Sequence, residues 1–131
     1  MTAVDTNVVV RFLTADDPKQ AAAAASLFAA GPVWIAKTVL LETSWVLQSV
    51  YEFEARAVRD ALTALFGLRN VHVEDKPSIV AALVLAAHGI ELADAIHLTS
   101  RPSGAAFVSF DQALVRRANR AGAPSVSGLS V

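Results

Sequence analysis

Apolar and polar positions run along this chain in blocks that switch between strand-like and helix-like periods. The apolar start Thr2 to Val4 is too short for anything but a strand, and it runs straight into Asp5. Val8-Val9-Val10-Arg11-Phe12-Leu13 predicts a short helical turn. Thr14-Ala15-Asp16-Asp17-Pro18 then supplies turn residues, with proline placed at a helix start. Lys19 to Ala30 is alanine-rich and reads as helix, Gly31-Pro32 stops it, and Val33-Trp34-Ile35 has the length and residue types of a short buried strand.

Lys37 to Tyr51 is the next helix. Its apolar residues Val39, Leu41, Trp45, Val46 and Val50 spread so widely around it that it is expected to be largely buried. Glu54 to Phe66 follows as an amphipathic helix, Ala55, Val58, Leu62, Leu65 and Phe66 alternating with Arg56, Arg59 and Asp60. Val71-His72-Val73 reads as a strand or an extended connection. Lys76-Pro77 opens a helix ending at Gly89, and Ala93 to about Ser100 is helical again, beginning near Glu91. After an Arg101 to Gly104 loop, Ala106 to Phe110 is the strongest strand signal and ends on Asp111. A helix over Gln112 to Arg120 and a short strand around Ser125 to Ser127 complete the pattern. Strands alternating with helices imply an α/β class with a parallel sheet covered on both faces.

A length of 131 residues suits a single domain, 1–131, and the 54 % apolar content is enough to bury a core. There is no cysteine, so neither a disulfide framework nor a thiolate zinc site is available, while oxygen-rich ligands remain. No apolar run approaches the roughly 20 residues that span a bilayer, and no charged leader precedes an apolar stretch; a soluble, cytoplasmic protein with no membrane partner is expected. A net charge of −1 argues against a domain that coats nucleic acid through bulk positive charge, and leaves room for local basic patches.

Four acids stand where a folding argument alone does not place them. Asp5 and Asp111 each follow an apolar strand, at the position where open α/β sheets bind ligands. Each also precedes a helix, where Asp is a preferred N-cap. Glu42 has Thr38, Val39, Trp45 and Val46 as its helical neighbours and no local cation; it bridges to a distant base, reaches solvent, or serves a site. Asp94 shares a helix face with Glu91 and His97, a spacing that fits either a solvated polar stripe or a charged site.

Four converging carboxylates without four bases repel one another, and the simplest remedy is one or two hard divalent cations, Mg²⁺ or Mn²⁺, which prefer oxygen ligands. Such ions orient water and stabilise the oxygens of a phosphodiester under attack. The residues thus point to metal-dependent phosphoryl chemistry. There is no phosphate-binding Gly-x-x-x-x-Gly-Lys loop and no Gly-x-Ser-x-Gly elbow, and His72, His88 and His97 lack zinc-ligand spacing.

Val-Asp-Thr-Asn-Val-Val-Val-Arg-Phe-Leu at the start, Leu-Leu-Glu-Thr-Ser-Trp-Val-Leu in the middle, Leu-Ala-Asp-Ala-Ile-His-Leu and Phe-Val-Ser-Phe-Asp resemble, in order and spacing, the motifs of the PIN-domain family. More narrowly the chain is similar to VapC-type toxins of bacterial toxin–antitoxin pairs. The resemblance implies a three-layer α/β/α sandwich with a central, mostly parallel sheet of four or five strands. It further implies Mg²⁺- or Mn²⁺-dependent endoribonuclease activity by metal-activated water, a homodimer, and neutralisation by a cognate antitoxin. The implied catalytic and metal-holding quartet is Asp5, Glu42, Asp94 and Asp111. Thr6, Asn7 and Ser109 match the polar positions that hydrogen-bond such acids. Glu91 stands where relatives often carry Asp, and His97 lies one turn from Asp94.

RNA approaching an acidic pocket calls for basic side chains on its rim, and Arg11, Lys37, Arg116, Arg117 and Arg120 are the candidates. Trp45, Val46, Val50, Tyr51 and Phe53 give the middle helices more large apolar groups than a small domain needs, a surface for an antitoxin helix or a second copy. A Mg²⁺-dependent phosphohydrolase and a catalytically silent RNA- or protein-binding module are the alternative functions.

Overall fold

Parallel neighbouring strands need a crossover between them, and each crossover in this chain is helical. The computed structural model describes residues 1–131 and contains seven helices and five strands, every strand pair parallel. This is an α/β fold consistent with the PIN architecture. The chain divides into two compact units, Met1–Lys76 and Pro77–Val131.

In the first unit, β1 (Thr2–Ala3) leads through α1 (Thr6–Thr14) and α2 (Pro18–Ala30) to β2 (Val33–Ile35). From there α3 (Lys37–Ser49) and α4 (Ala55–Phe66) return the chain to β3 (Val71–Val73). The strand order is β1-β2-β3, with Thr2 opposite Val33 and Val33 opposite Val71. β2 is therefore the central strand of this set and β1 an exposed edge of two residues. Both helical crossovers bring the chain back in the same direction, so Asp5 and Ala36 both lie at carboxyl ends of strands.

The second unit begins with α5 (Lys76–Ala86), whose first residue still belongs to the first unit. It continues through α6 (Leu92–Ser100), β4 (Phe107–Ser109), α7 (Gln112–Arg120) and β5 (Val126–Gly128). β4 and β5 pair in parallel, Phe107 opposite Val126, with α7 as their crossover. Gly122, at φ 86°, supplies the left-handed turn that ends α7.

Ile35, Leu40, Leu47, Val58, Leu62 and Leu65 are all essentially inaccessible and form the heart of the first unit; Phe12 stacks on Phe28 with ring centroids 4.2 Å apart. Of the elements expected from the pattern, α3 differs most in its burial. It is buried only along Leu40, Thr43, Ser44 and Leu47, while Trp45 and Val50 are each 62 % exposed. The inward stripe is a regular i, i+3, i+4, i+7 face, but half of it is hydroxyl-bearing and so escapes a search for apolar periodicity.

The Thr43 Oγ1 is fully buried and has no hydrogen-bond partner. A buried hydroxyl left unsatisfied costs about 1–3 kcal/mol. Thr43→Val should therefore raise stability by about 1 kcal/mol, a few degrees in melting temperature. Leu47→Ala, at a site with no exposure, should lower stability by about 2–5 kcal/mol. Thermal melts of the two variants beside the parent check both.

Candidate functional site

Asp5 takes its place from the helix that follows it. Its backbone is extended (φ −93°, ψ 179°), and its Oδ1 accepts the Val8 amide at 3.2 Å as the N-cap of α1. The exposed carboxylate borders a cleft of about 390 Å³ with Asn7, Arg11 and Gln20, against Ala23 and Ala24 of α2. Thr6 is buried at the start of α1. The alanine run of α2 was the available signal for this cleft, since small side chains leave room beside a neighbouring helix. Gln20 carried no signal of its own.

Arg11 is not a free cation on this rim. Its Nε donates to Gln20 Oε1 at 2.7 Å, and its Nη1 donates to Asp16 Oδ1 at 2.8 Å and to the Tyr51 hydroxyl at 2.9 Å. The Tyr51 hydroxyl donates in turn to Asp16 Oδ2 at 2.6 Å, and Thr14 to Oδ1 at 3.0 Å. The Tyr51 hydrogen bond, supported by those from Arg11 and Thr14, outweighs desolvation and holds the Asp16 carboxyl down at about 2; the Asp16 bond raises Arg11. Lys37 is likewise engaged, its Nζ 2.8 Å from Asp75 Oδ2. These two residues, expected at an RNA rim, have their charges committed within the first unit.

Glu42 lies on the exposed face of α3 with Thr38, Trp45 and Ser49. The apolar residues beside it do not enclose it, so the expectation of a carboxylate stranded by burial is replaced by an open one. That leaves its oxygens accessible and removes the desolvation argument for its role.

In the second unit, Glu91, Asp94 and Asp111 line one small polar cleft of about 120 Å³ together with Ile90, Leu114 and Arg117. Glu91 is the N-cap residue of α6 without capping through its side chain, and Asp94 sits in the first turn of that helix. Asp111 caps α7, its Oδ1 accepting the Leu114 amide at 3.1 Å. Ser109 Oγ accepts the Asp111 backbone amide at 3.0 Å, so it orients the Asp111 backbone rather than the carboxylate. His97 is exposed and does not line this cleft. Arg116, Arg117 and Arg120 are exposed along α7, with Arg117 and Arg120 in the last turn, where the helix dipole favours positive charge.

The ion pairs of the chain join Arg11 to Asp16, Lys37 to Asp75 and Arg56 to Asp60, and none involves Asp5, Glu42, Asp94 or Asp111. These four offer only carboxylate oxygen, the donor type that hard divalent cations select. No group of three or more acidic or histidine side chains is drawn together closely enough to hold one ion. The donor chemistry of these acids fits Mg²⁺ or Mn²⁺.

A protein-family model described as PIN domain matches residues 2–120, and the chain belongs to that family. PIN domains are generally nucleases and typically bind Mg²⁺. No curated protein gives a significant match to the chain. No helix is long and apolar enough to cross a membrane.

The Asp16 network makes a pH prediction. The folded carboxyl titrates at about 2 against an ordinary 3.8, so its contribution to stability is complete above about pH 4 and disappears as pH falls toward 2. Asp16→Asn should therefore melt below the parent at neutral pH, and the gap should close between about pH 4 and pH 2. Thermal melts across that range measure it; a gap independent of pH would refute the assignment.

Proposed function

We propose that this chain is a single PIN domain that acts as a Mg²⁺- or Mn²⁺-dependent endoribonuclease, the toxin of a type II toxin–antitoxin pair in the cytoplasm. The observation that carries the reading is the cleft in which Glu91, Asp94 and Asp111 stand beside Arg117, within a chain matched by the PIN model from residue 2 to 120. Acids suited to a hard cation next to a guanidinium suited to phosphate are what phosphodiester hydrolysis requires.

In this reading Asp5, Glu42, Asp94 and Asp111 would hold the cation, which would supply Lewis acidity at the phosphodiester. Asp5 and Asp111 each commit Oδ1 to a helix amide and keep Oδ2 for the site, so the caps fix the direction in which those acids are presented. Arg117 contacts the phosphate flanking the acids, and Arg116 and Arg120 hold the backbone beyond it. Hydrolysis leaves a 5′-phosphate and a 3′-hydroxyl. The exposed Val50, with Tyr51 and Phe53 half-buried beside it, supports a contact with a cognate antitoxin or a second copy.

Asn caps a helix about as well as Asp, so Asp→Asn at 5 and 111 separates the charge from the cap. Incubated with single-stranded RNA and Mn²⁺, the parent should cut the RNA and a chelator should stop it. Asp5→Asn, Asp94→Asn and Asp111→Asn should each lose at least the roughly 100-fold that removal of an outer-shell partner costs, with melting temperatures unchanged. RNA left intact by antitoxin-free protein in every condition would overturn the proposal and favour a silent binding module. Arg116→Ala/Arg117→Ala should weaken RNA binding evenly across sequences and flatten its salt dependence.

A further inference from the structure

Of the nine aromatic side chains in the chain, only Trp45 and Phe110 are exposed, at 62 % and 63 %. Each stands beside an acid of the proposed quartet. Trp45 is one turn beyond Glu42 on α3, and Phe110 directly precedes Asp111. The other seven rings are buried or half-buried, including the stacked Phe12 and Phe28 and the edge-on Tyr51 and Phe53.

The other exposed residues of α3 are all polar. Thr38, Glu42, Gln48 and Ser49 share or border its face and are all exposed. An indole that is the single exposed apolar side chain of its helix is a poor seed for a protein interface, which needs an apolar core around its anchor. It is well suited to a flat ligand that brings its own polar edge. At Phe110, the hydrogen bond from the Asp111 amide to Ser109 Oγ, 3.0 Å, braces the residues on either side of it, and the exposed arginines of α7 provide positive charge on the same unit. An exposed ring at the entry to a helix that carries three exposed arginines matches a nucleotide, with its π-face and its phosphate.

We propose that Trp45 and Phe110 are stacking platforms for unpaired nucleobases of the RNA, each taking a base close to the acid beside it. The inference rests on the nuclease reading for its substrate class and adds the means by which single-stranded RNA is held and duplex is refused. Bases in a duplex have both faces covered, so only unpaired ones can lie on the rings.

The test uses the full chain with Trp34→Phe, which leaves Trp45 as the only indole, and Asp94→Asn to suppress cleavage. Titration with a single-stranded oligouridylate in Mg²⁺ should quench the Trp45 fluorescence, and a duplex of equal length should not. With Trp34 retained, Trp45→Ala and Phe110→Ala should each weaken oligouridylate binding by roughly 5- to 150-fold, the range that loss of one stacked base gives. Trp45→Phe and Phe110→Tyr should restore most of it, which a purely structural role at these exposed positions would not require. Absence of quenching together with unchanged affinity would overturn the proposal. So would a change of oligomeric state in Trp45→Ala or Phe110→Ala with RNA affinity intact, which would assign the rings to a protein interface. Quenching does not depend on turnover. A parent that binds and quenches but never cuts would count against the nuclease reading and leave the stacking contact standing.

Discussion

A strand that hands its chain directly to a helix leaves the first helical amides without partners, and here an aspartate meets that need in both units. Asp5 accepts the Val8 amide and Asp111 the Leu114 amide, each through Oδ1 and at nearly the same distance. The bond joins backbone geometry to side-chain direction: the carboxylate satisfies one of the first helical amides, and it cannot swing away without uncovering that amide. The ends of β1 and β4 thus carry a charged group whose orientation belongs to the backbone. Asp17 applies the same device at the start of α2, away from any strand, where it serves only the Gln20 amide.

The charges divide into those that hold the protein together and those left outward. Arg11, Asp16 and Tyr51 close on one another across α1 and the end of α3, tying segments forty residues apart. The arginines of α7 belong to the other class. A rim built from Arg11 would have to break several hydrogen bonds before it could greet a phosphate, whereas Arg117 already stands beside Asp94 and Asp111.

Most element boundaries were legible because the local signals agree. Pro18 with Asp17 starts α2, Gly31-Pro32 ends it, and three consecutive β-formers mark β2. The acids at strand ends were legible for the same reason, since strand, aspartate and helix adjoin in sequence. What could not be read was anything set by distant partners. The partners of Arg11 and Lys37 lie in part 40 and 38 residues away. The inward face of α3 depends on Thr43 and Ser44, which no apolar pattern counts. The exposure of Glu42 is of the same kind: its helical neighbours fix only which groups share a face, and packing decides whether that face is covered.

Ala15 joins α1 to α2 in the left-handed region, at φ 55°, its amide bonded to the Arg11 carbonyl at 3.0 Å. An L-residue with a Cβ is disfavoured there by roughly 1–2 kcal/mol, and glycine avoids the clash at some entropic cost in the unfolded chain. Asp16, the next residue, is held by Arg11, Thr14 and Tyr51, so the strained corner and the charge network are one construction. For a protein under mutational drift this makes neighbouring positions opposite in character. Position 15 is a reserve from which stability can be drawn by a single change to glycine or asparagine. Position 16 is a point where nearly any change is a loss, and a lineage can afford to lose there only what it has first gained next door.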